Sequence, residues 1–79
     1  MRAFTKEWLK AANDDLLTIN EIINNNFLTH IVAFHAQQSV EKTLKALLED
    51  ARKFYDFANS VFEKVCTLLN ISIDEIKAQ

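Results

Sequence analysis

The sequence contains neither glycine nor proline, although ordinary usage would give a chain of 79 residues roughly nine or ten of them. Both residues concentrate in loops and tight turns. All-helical proteins use fewer of the two, but their turns still tend to need some. The absence therefore fits a helical chain, and it leaves open how that chain turns.

Cysteine, long apolar runs and net charge are also scarce, and each scarcity argues against a class of protein. The single Cys66 cannot form an intramolecular disulfide, which fits a reducing compartment. No apolar run approaches the roughly 18 residues that span a bilayer, and residues 1–4 lack the apolar core of a signal peptide. The net charge of −2 argues against broad electrostatic binding to nucleic acid. We expect a cytoplasmic protein with no membrane contact.

Length and hydrophobicity predict one small domain covering residues 1–79. Hydrophobic residues make up 49% of the chain, which is enough for a globular core and far from a disordered composition. The size is nevertheless close to the lower limit for a core that is stable without help.

Apolar residues recur at helical spacing in three segments, which predicts three main helices and a short fourth one. The expected core stripes are Trp8, Ala12, Leu16, Ile19 and Ile23 in the first helix, Ala33, Ala36, Val40, Leu44 and Leu47 in the second, and Phe54, Ala58, Val61, Val65 and Leu68 in the third. Cys66 is expected to be a small buried hydrophobic residue. The fold class predicted is all-α, an antiparallel up-and-down helical bundle.

Polar residues mark the predicted helix ends. Thr5 and Thr29 are expected to cap the first two helices, and Ser72 with Glu75 to form a capping box for the last. The asparagines at 24–26 and Asn70 are expected to end the first and third helices, since asparagine tolerates the left-handed conformation.

No helix-breaking residue separates the second and third helices. Residues 49–53 would allow one continuous helix from Thr29 to Leu69, about 60 Å long at 1.5 Å per residue. Two alternatives follow. Either the long helix buries its stripe by dimerising, or an internal segment is missing between Asp50 and Ala51, in which case those residues should lie far apart.

The second helix carries a polar stripe opposite its predicted core face. Gln38, Lys42 and Lys45 are spaced so that two cations and an amide could meet one phosphate, which makes them candidate ligand-binding residues. The alternative is a solvated face in which Glu41 pairs with Lys45. Ile31, Phe34 and His35 lie along the same side and are candidate interface residues, because apolar and polar groups mix there.

Other sites are not supported by the pattern. His30 and His35 are about 140° apart around a helix and cannot share one metal ion, so we expect no metal site and no cofactor. Asp14 and Asp15 are adjacent and point about 100° apart, so they cannot form a catalytic carboxylate pair. Both are interpreted as surface charges.

Two stretches resemble the HEPN family, the higher eukaryote and prokaryote nucleotide-binding domains. Residues 12–16, Ala-Asn-Asp-Asp-Leu, are similar to that family's first-helix pattern of alanine followed by Asp-Leu. Residues 34–48 resemble its second-helix pattern, an aromatic-His-Ala-x-Gln followed by Glu-Lys-x-Leu-Lys-Ala-Leu. The family's middle portion, a His-x-Leu helix and an Arg-Tyr-Pro loop, would belong between Asp50 and Ala51 and is absent.

The resemblance implies an all-α bundle that usually forms a homodimer. Relatives occur beside minimal nucleotidyltransferases, often as toxin–antitoxin pairs, and some are metal-independent ribonucleases with an Arg-x(4–6)-His motif. Neither Arg2 nor Arg52 has a histidine at that spacing. We therefore expect an interaction module that acts with a partner such as a nucleotidyltransferase. The alternatives are a ribonuclease whose Arg and His lie in an absent segment, and a domain that binds a nucleotide or RNA without catalysis.

Overall fold

The computed structural model describes residues 3–78, and within that range every regular element is helical. The helices are α1 (Ala3–Ile22), a 3-10 turn (Asn26–Leu28), α2 (Thr29–Leu47), α3 (Ala51–Leu69) and α4 (Ile73–Lys77). The prediction of an all-α helical bundle is confirmed. The chain divides into two compact units at Glu49 and Asp50, and each is described by itself.

The first unit is an antiparallel helical hairpin made of α1 and α2. Contacts between the helices pair early residues of α1 with late residues of α2. Thr5 Oγ1 donates to Glu49 Oε1 at 2.7 Å, and Ser39 Oγ donates to the Ala12 carbonyl at 3.0 Å. The direction of the pairing shows that the two helices run in opposite senses.

Small residues line the closest approach of α1 and α2. Ala12, Ser39 and Ala46 are all buried, with exposed fractions of 4, 5 and 7%. Short side chains let two helix backbones come near each other, and here the Ser39 hydroxyl bonds directly to the backbone of the facing helix. The residues buried most completely in the hairpin are therefore small or polar.

The prediction of which face of α2 is buried is wrong. Ala33, Ala36 and Val40 are exposed, with Leu44 only half-buried, whereas Ser39 and Ala46 on another face meet α1. In α1 the buried stripe is likewise shifted, because Asp15 is buried and Leu16 is 54% exposed. The physical reason is that an Asp15 carboxylate inside the hairpin requires its donors, so the polar face of α2 turns inward to supply them.

The turn between α1 and α2 contains the three predicted asparagines, but they act differently from the expectation. Asn25 has an extended backbone with φ −94° and ψ 105°, and its side chain accepts a hydrogen bond from the Phe27 N–H at 3.0 Å. No residue of this turn has a positive φ. The helix ends here as predicted, yet a side-chain cap on the following 3-10 turn replaces the expected left-handed residue.

The connection between α2 and α3 is three residues long, so the prediction of one continuous helix is wrong. Asp50 is extended at φ −129° and ψ 97°, and its carboxylate accepts from the Lys53 N–H at 3.1 Å. Its carbonyl accepts from the Phe54 N–H at 2.9 Å. These bonds bridge the junction with Ala51, and the alternative of a segment missing from the sequence there stays a prediction. α2 ends with Leu48 as its C-cap, and Asp50 caps the start of α3, so the junction needs neither glycine nor proline.

The second unit contains α3 and α4, joined at a left-handed asparagine. Asn70 has φ 61° and ψ 36°, the sole positive φ between residues 3 and 78. The Ile71 N–H bonds to the Cys66 carbonyl at 2.9 Å and the Asn70 N–H to the Thr67 carbonyl at 3.2 Å. This is a Schellman motif. The predicted roles of Asn70 as a helix stop and of Cys66 as a buried residue, 7% exposed, are confirmed.

The remaining predictions for the second unit and for the helix caps are mixed. In α3, Ala58 and Val65 are exposed although they were expected in the core. Thr5 lies inside α1, and Thr29 is the first residue of α2, where its hydroxyl donates to the Asn26 carbonyl at 3.0 Å. Ser72 is the residue before α4, as predicted, but its side chain makes no capping hydrogen bond.

Candidate functional site

A buried carboxylate between α1 and α2 is held by two donors from α2. Asp15 is 6% exposed, which makes it one of the most deeply buried polar residues of the described chain. His35 Nδ1 lies 2.8 Å from Asp15 Oδ1, and Lys42 Nζ lies 2.7 Å from Asp15 Oδ2. The side chains of His35 and Lys42 are each 26% exposed. We call Asp15, His35 and Lys42 the polar cluster.

The surroundings of Asp15 favour its charged form. The hydrogen bond from Lys42, and after it the one from His35, lower the pKa of Asp15 below its ordinary value of 3.8, although burial opposes them. At neutral pH the carboxylate is therefore ionised and can only accept hydrogen bonds. The expectation that Asp15 is a surface charge is wrong, whereas Asp14 is exposed as predicted.

An ionised Asp15 fixes the proton on one nitrogen of His35. Because the carboxylate accepts only, the nitrogen that faces it, Nδ1, must carry the hydrogen. In the neutral ring, Nε2 then carries no hydrogen and can accept a hydrogen bond. The ring of Phe34 meets that of His35 edge-on, with centroids 5.5 Å apart at 82°. Asp15 and Phe34 thus both contact the imidazole.

The three candidate ligand-binding residues occupy different environments. Lys42 contacts Asp15, and Lys45 Nζ lies 4.5 Å from the centroid of the Trp8 ring, a cation–π contact across the hairpin. Gln38 is half-buried. The expected pair of Glu41 with Lys45 is not present, since Glu41 accepts from Gln37 at 3.5 Å. Both lysines therefore bind groups of α1, and ligand binding by the three residues stays a prediction.

The three candidate interface residues are only partly accessible. Phe34 is 56% exposed, whereas Ile31 is half-buried and His35 is engaged with Asp15. Their role in an interface stays a prediction.

A larger exposed apolar surface lies elsewhere on the hairpin. Leu9, Leu16 and Ile23 lie on one face of α1 and its C-terminal end, and Val40 lies on α2. The α1 residues lie about 50–90° around their helix from the face that packs on α2, and Val40 lies about 110° from the packed face of α2. Because the helices are antiparallel, these offsets put both groups on the same side of the hairpin. We call Leu9, Leu16, Ile23 and Val40 the apolar side. Phe34 falls on the opposite side of α2.

Residues 3–78 offer little for other kinds of site. Within that range, no group of three or more His, Cys, Asp or Glu side chains is arranged to hold a metal ion. None of the described helices is long and apolar enough to cross a membrane. Of the two arginines considered above, Arg2 lies outside the described residues and Arg52 is exposed in α3.

Sequence reasoning missed Asp15 as a partner of His35 and Lys42. The signal was present, because Asp15 falls between Ala12 and Ile19 at core spacing, while His35 and Lys42 are seven residues apart on one face of α2. A charged residue in a core stripe indicates that the facing helix must supply opposite charge.

Comparison with known proteins identifies the family. A family model described as the HEPN domain matches residues 5–61, which include all of α2 and the polar cluster. No curated protein matches the chain, and no solved structure does. Since the family model covers well over half of the sequence, this protein belongs to the HEPN domain family.

Proposed function

We propose that this HEPN domain is a helical interaction module that forms a homodimer and acts with a partner protein, such as a minimal nucleotidyltransferase, in a toxin–antitoxin type of pair. The observation that carries the proposal is the apolar side of the hairpin. Leu16 and Val40 are 54 and 53% exposed there, although the hairpin is already closed through its other face. An uncovered apolar surface of this kind marks an interaction site.

The polar cluster supports this proposal by its position. Asp15 engages one nitrogen of His35 and the ammonium of Lys42 inside the hairpin. The charged side chains of α2 that could have bound a ligand thus help to hold α2 against α1, whereas apolar side chains such as Leu16 and Val40 stay exposed. Binding of a protein surface suits that distribution better than binding of a phosphate does.

The family resemblance alone suggests the nucleotidyltransferase and the toxin–antitoxin setting. The sequence has no Arg-x(4–6)-His motif, so the proposal assigns no catalytic residue.

Self-association is tested by light scattering coupled to size-exclusion chromatography at micromolar protein. The expected mass is twice the 9.1 kDa of the chain. Leu16→Asp should reduce it to that of the monomer, because a charge would have to be buried in the interface. Leu17→Asp is the matched control, since Leu17 is 57% exposed but turned away from the apolar side.

A wild-type protein that elutes as a monomer at these concentrations would overturn the homodimer. If the wild type is a dimer and neither substitution dissociates it, the dimer forms through another surface.

A further inference from the structure

The exposed face of α1 carries a heptad pattern that the hairpin does not use. Its members recur at spacings of four, three, four and three: Leu9, Asn13, Leu16, Asn20 and Ile23. All five are exposed, with Leu9 at 42% and Ile23 at 52%. Apolar residues every seven positions, with a second position between them, form the contact line of a coiled coil. We call these five residues the Leu/Asn seam.

The seam is suited to a copy of itself. It contains no charged residue, so it requires no partner of opposite charge. Asparagine amides both donate and accept hydrogen bonds, so Asn13 of one helix can pair with Asn20 of an identical antiparallel helix. Polar residues at the contact positions of a coiled coil fix its register and its number of helices, at some cost in stability.

Charges beside the seam select the direction of the pairing. Lys10 lies in the first half of α1 and Glu21 in the second half, on the same flank of the seam. In a parallel two-fold pair this flank of one helix lies on the far side of the interface from the same flank of the other, so Lys10 and Glu21 of the two copies would not meet. An antiparallel pair centred on Leu16 places Lys10 opposite Ile22 of the second copy, next to that copy's Glu21.

We propose that the occupant of the Leu/Asn seam is α1 of a second copy of this chain, packed antiparallel with Leu16 at the two-fold axis. Leu9 of each copy then lies opposite Ile23 of the other. Such a contact is isologous and closes on itself. The proposal rests on the homodimer proposed above and adds its interface and its direction.

Cysteine cross-linking tests this geometry in the full chain, with Cys66→Ala as the background so that no native thiol reacts. Leu16→Cys should form an intermolecular disulfide, because the two-fold axis brings its two copies together. Leu9→Cys alone should not, whereas an equimolar mixture of Leu9→Cys and Ile23→Cys should cross-link. Asp14→Cys is the control, because Asp14 is exposed and lies about 140° around α1 from the seam.

The expected rate for Leu16→Cys is about a hundredfold or more above that of Asp14→Cys. Groups held within one complex have effective concentrations in the millimolar range, against micromolar concentrations for free chains. Circular dichroism of each variant shows that it has kept its helices, so that an unfolded protein is not mistaken for a negative result.

The outcomes separate this inference from the homodimer itself. Rapid cross-linking of Leu9→Cys alone, together with Leu16→Cys, would establish a parallel pair and overturn the antiparallel one. Equal rates for Leu16→Cys and Asp14→Cys in a protein of dimeric mass would remove the seam from the interface and leave the homodimer standing. A monomeric mass for the background protein would overturn both.

Discussion

Leucine substitutions three residues apart on α2 distinguish the face that packs against α1 from the face that does not. Ser39 is 5% exposed and Ala36 is exposed. Ser39→Leu removes the hydrogen bond to the Ala12 carbonyl, a loss of about 1 kcal/mol. It also forces a larger side chain into the closest approach of the helices, at about 1–3 kcal/mol. We expect the free energy of unfolding to fall by about 2–4 kcal/mol in total.

Ala36→Leu is the matched control on the same helix. Both residues have high helix propensity, and the position is exposed, so the free energy of unfolding should change by less than about 0.5 kcal/mol. Urea denaturation followed by far-UV circular dichroism measures both variants, at equal and low protein concentration so that self-association does not contribute.

The reverse order of the two variants would refute this description of the hairpin. If Ala36→Leu is the more destabilising one, then Ala33, Ala36 and Val40 form the packed face, as the apolar periodicity alone suggested. The polar cluster would then lie on the surface.

Three further outcomes follow from the same contacts. Because the native pKa of Asp15 is lowered, its ionisation stabilises the fold above pH 3.8 and the stabilisation is lost as the pH falls through the native pKa, so acid titration by circular dichroism should show a loss that Asp15→Asn lacks. Asp50→Ala should lower the free energy of unfolding by about 1 kcal/mol, since it removes the cap on the Lys53 N–H, and an unchanged urea midpoint would exclude that role. Asn70→Ala should cost about 1 kcal/mol while Asn70→Gly costs nothing, because only alanine is strained at φ 61°, and equal melting temperatures for the two would contradict the left-handed cap.

The helices could be predicted from sequence because their ends depend on local chemistry. Asn70 stops α3 through its own backbone conformation, and Ser72 precedes α4. Asp50 gave the same kind of local signal, but its role was overlooked in favour of the expectation that a turn requires glycine or proline. An aspartate before a helical stretch is an ordinary N-cap and was sufficient.

The packing could not be predicted in the same way, because it depends on residues from two helices at once. The periodicity of α2 alone favours the face with Val40 and Leu44, since those residues are apolar. Burial of Asp15 reverses the choice, because a carboxylate between helices requires donors from the opposite one. Only the pairing of α1 with α2 shows that His35 and Lys42 supply them.

The most direct test of the hairpin geometry is an intramolecular disulfide between its helices. Ser39 Oγ lies 3.0 Å from the Ala12 carbonyl oxygen, so Ala12→Cys with Ser39→Cys should place two thiols within bonding reach. Ala12→Cys with Ala36→Cys is the comparison, both in the Cys66→Ala background. We predict that oxidation under dilute conditions forms the bond within the chain in the first protein and not in the second, as intact mass and thiol titration report. A bond in the second protein and none in the first would contradict the account.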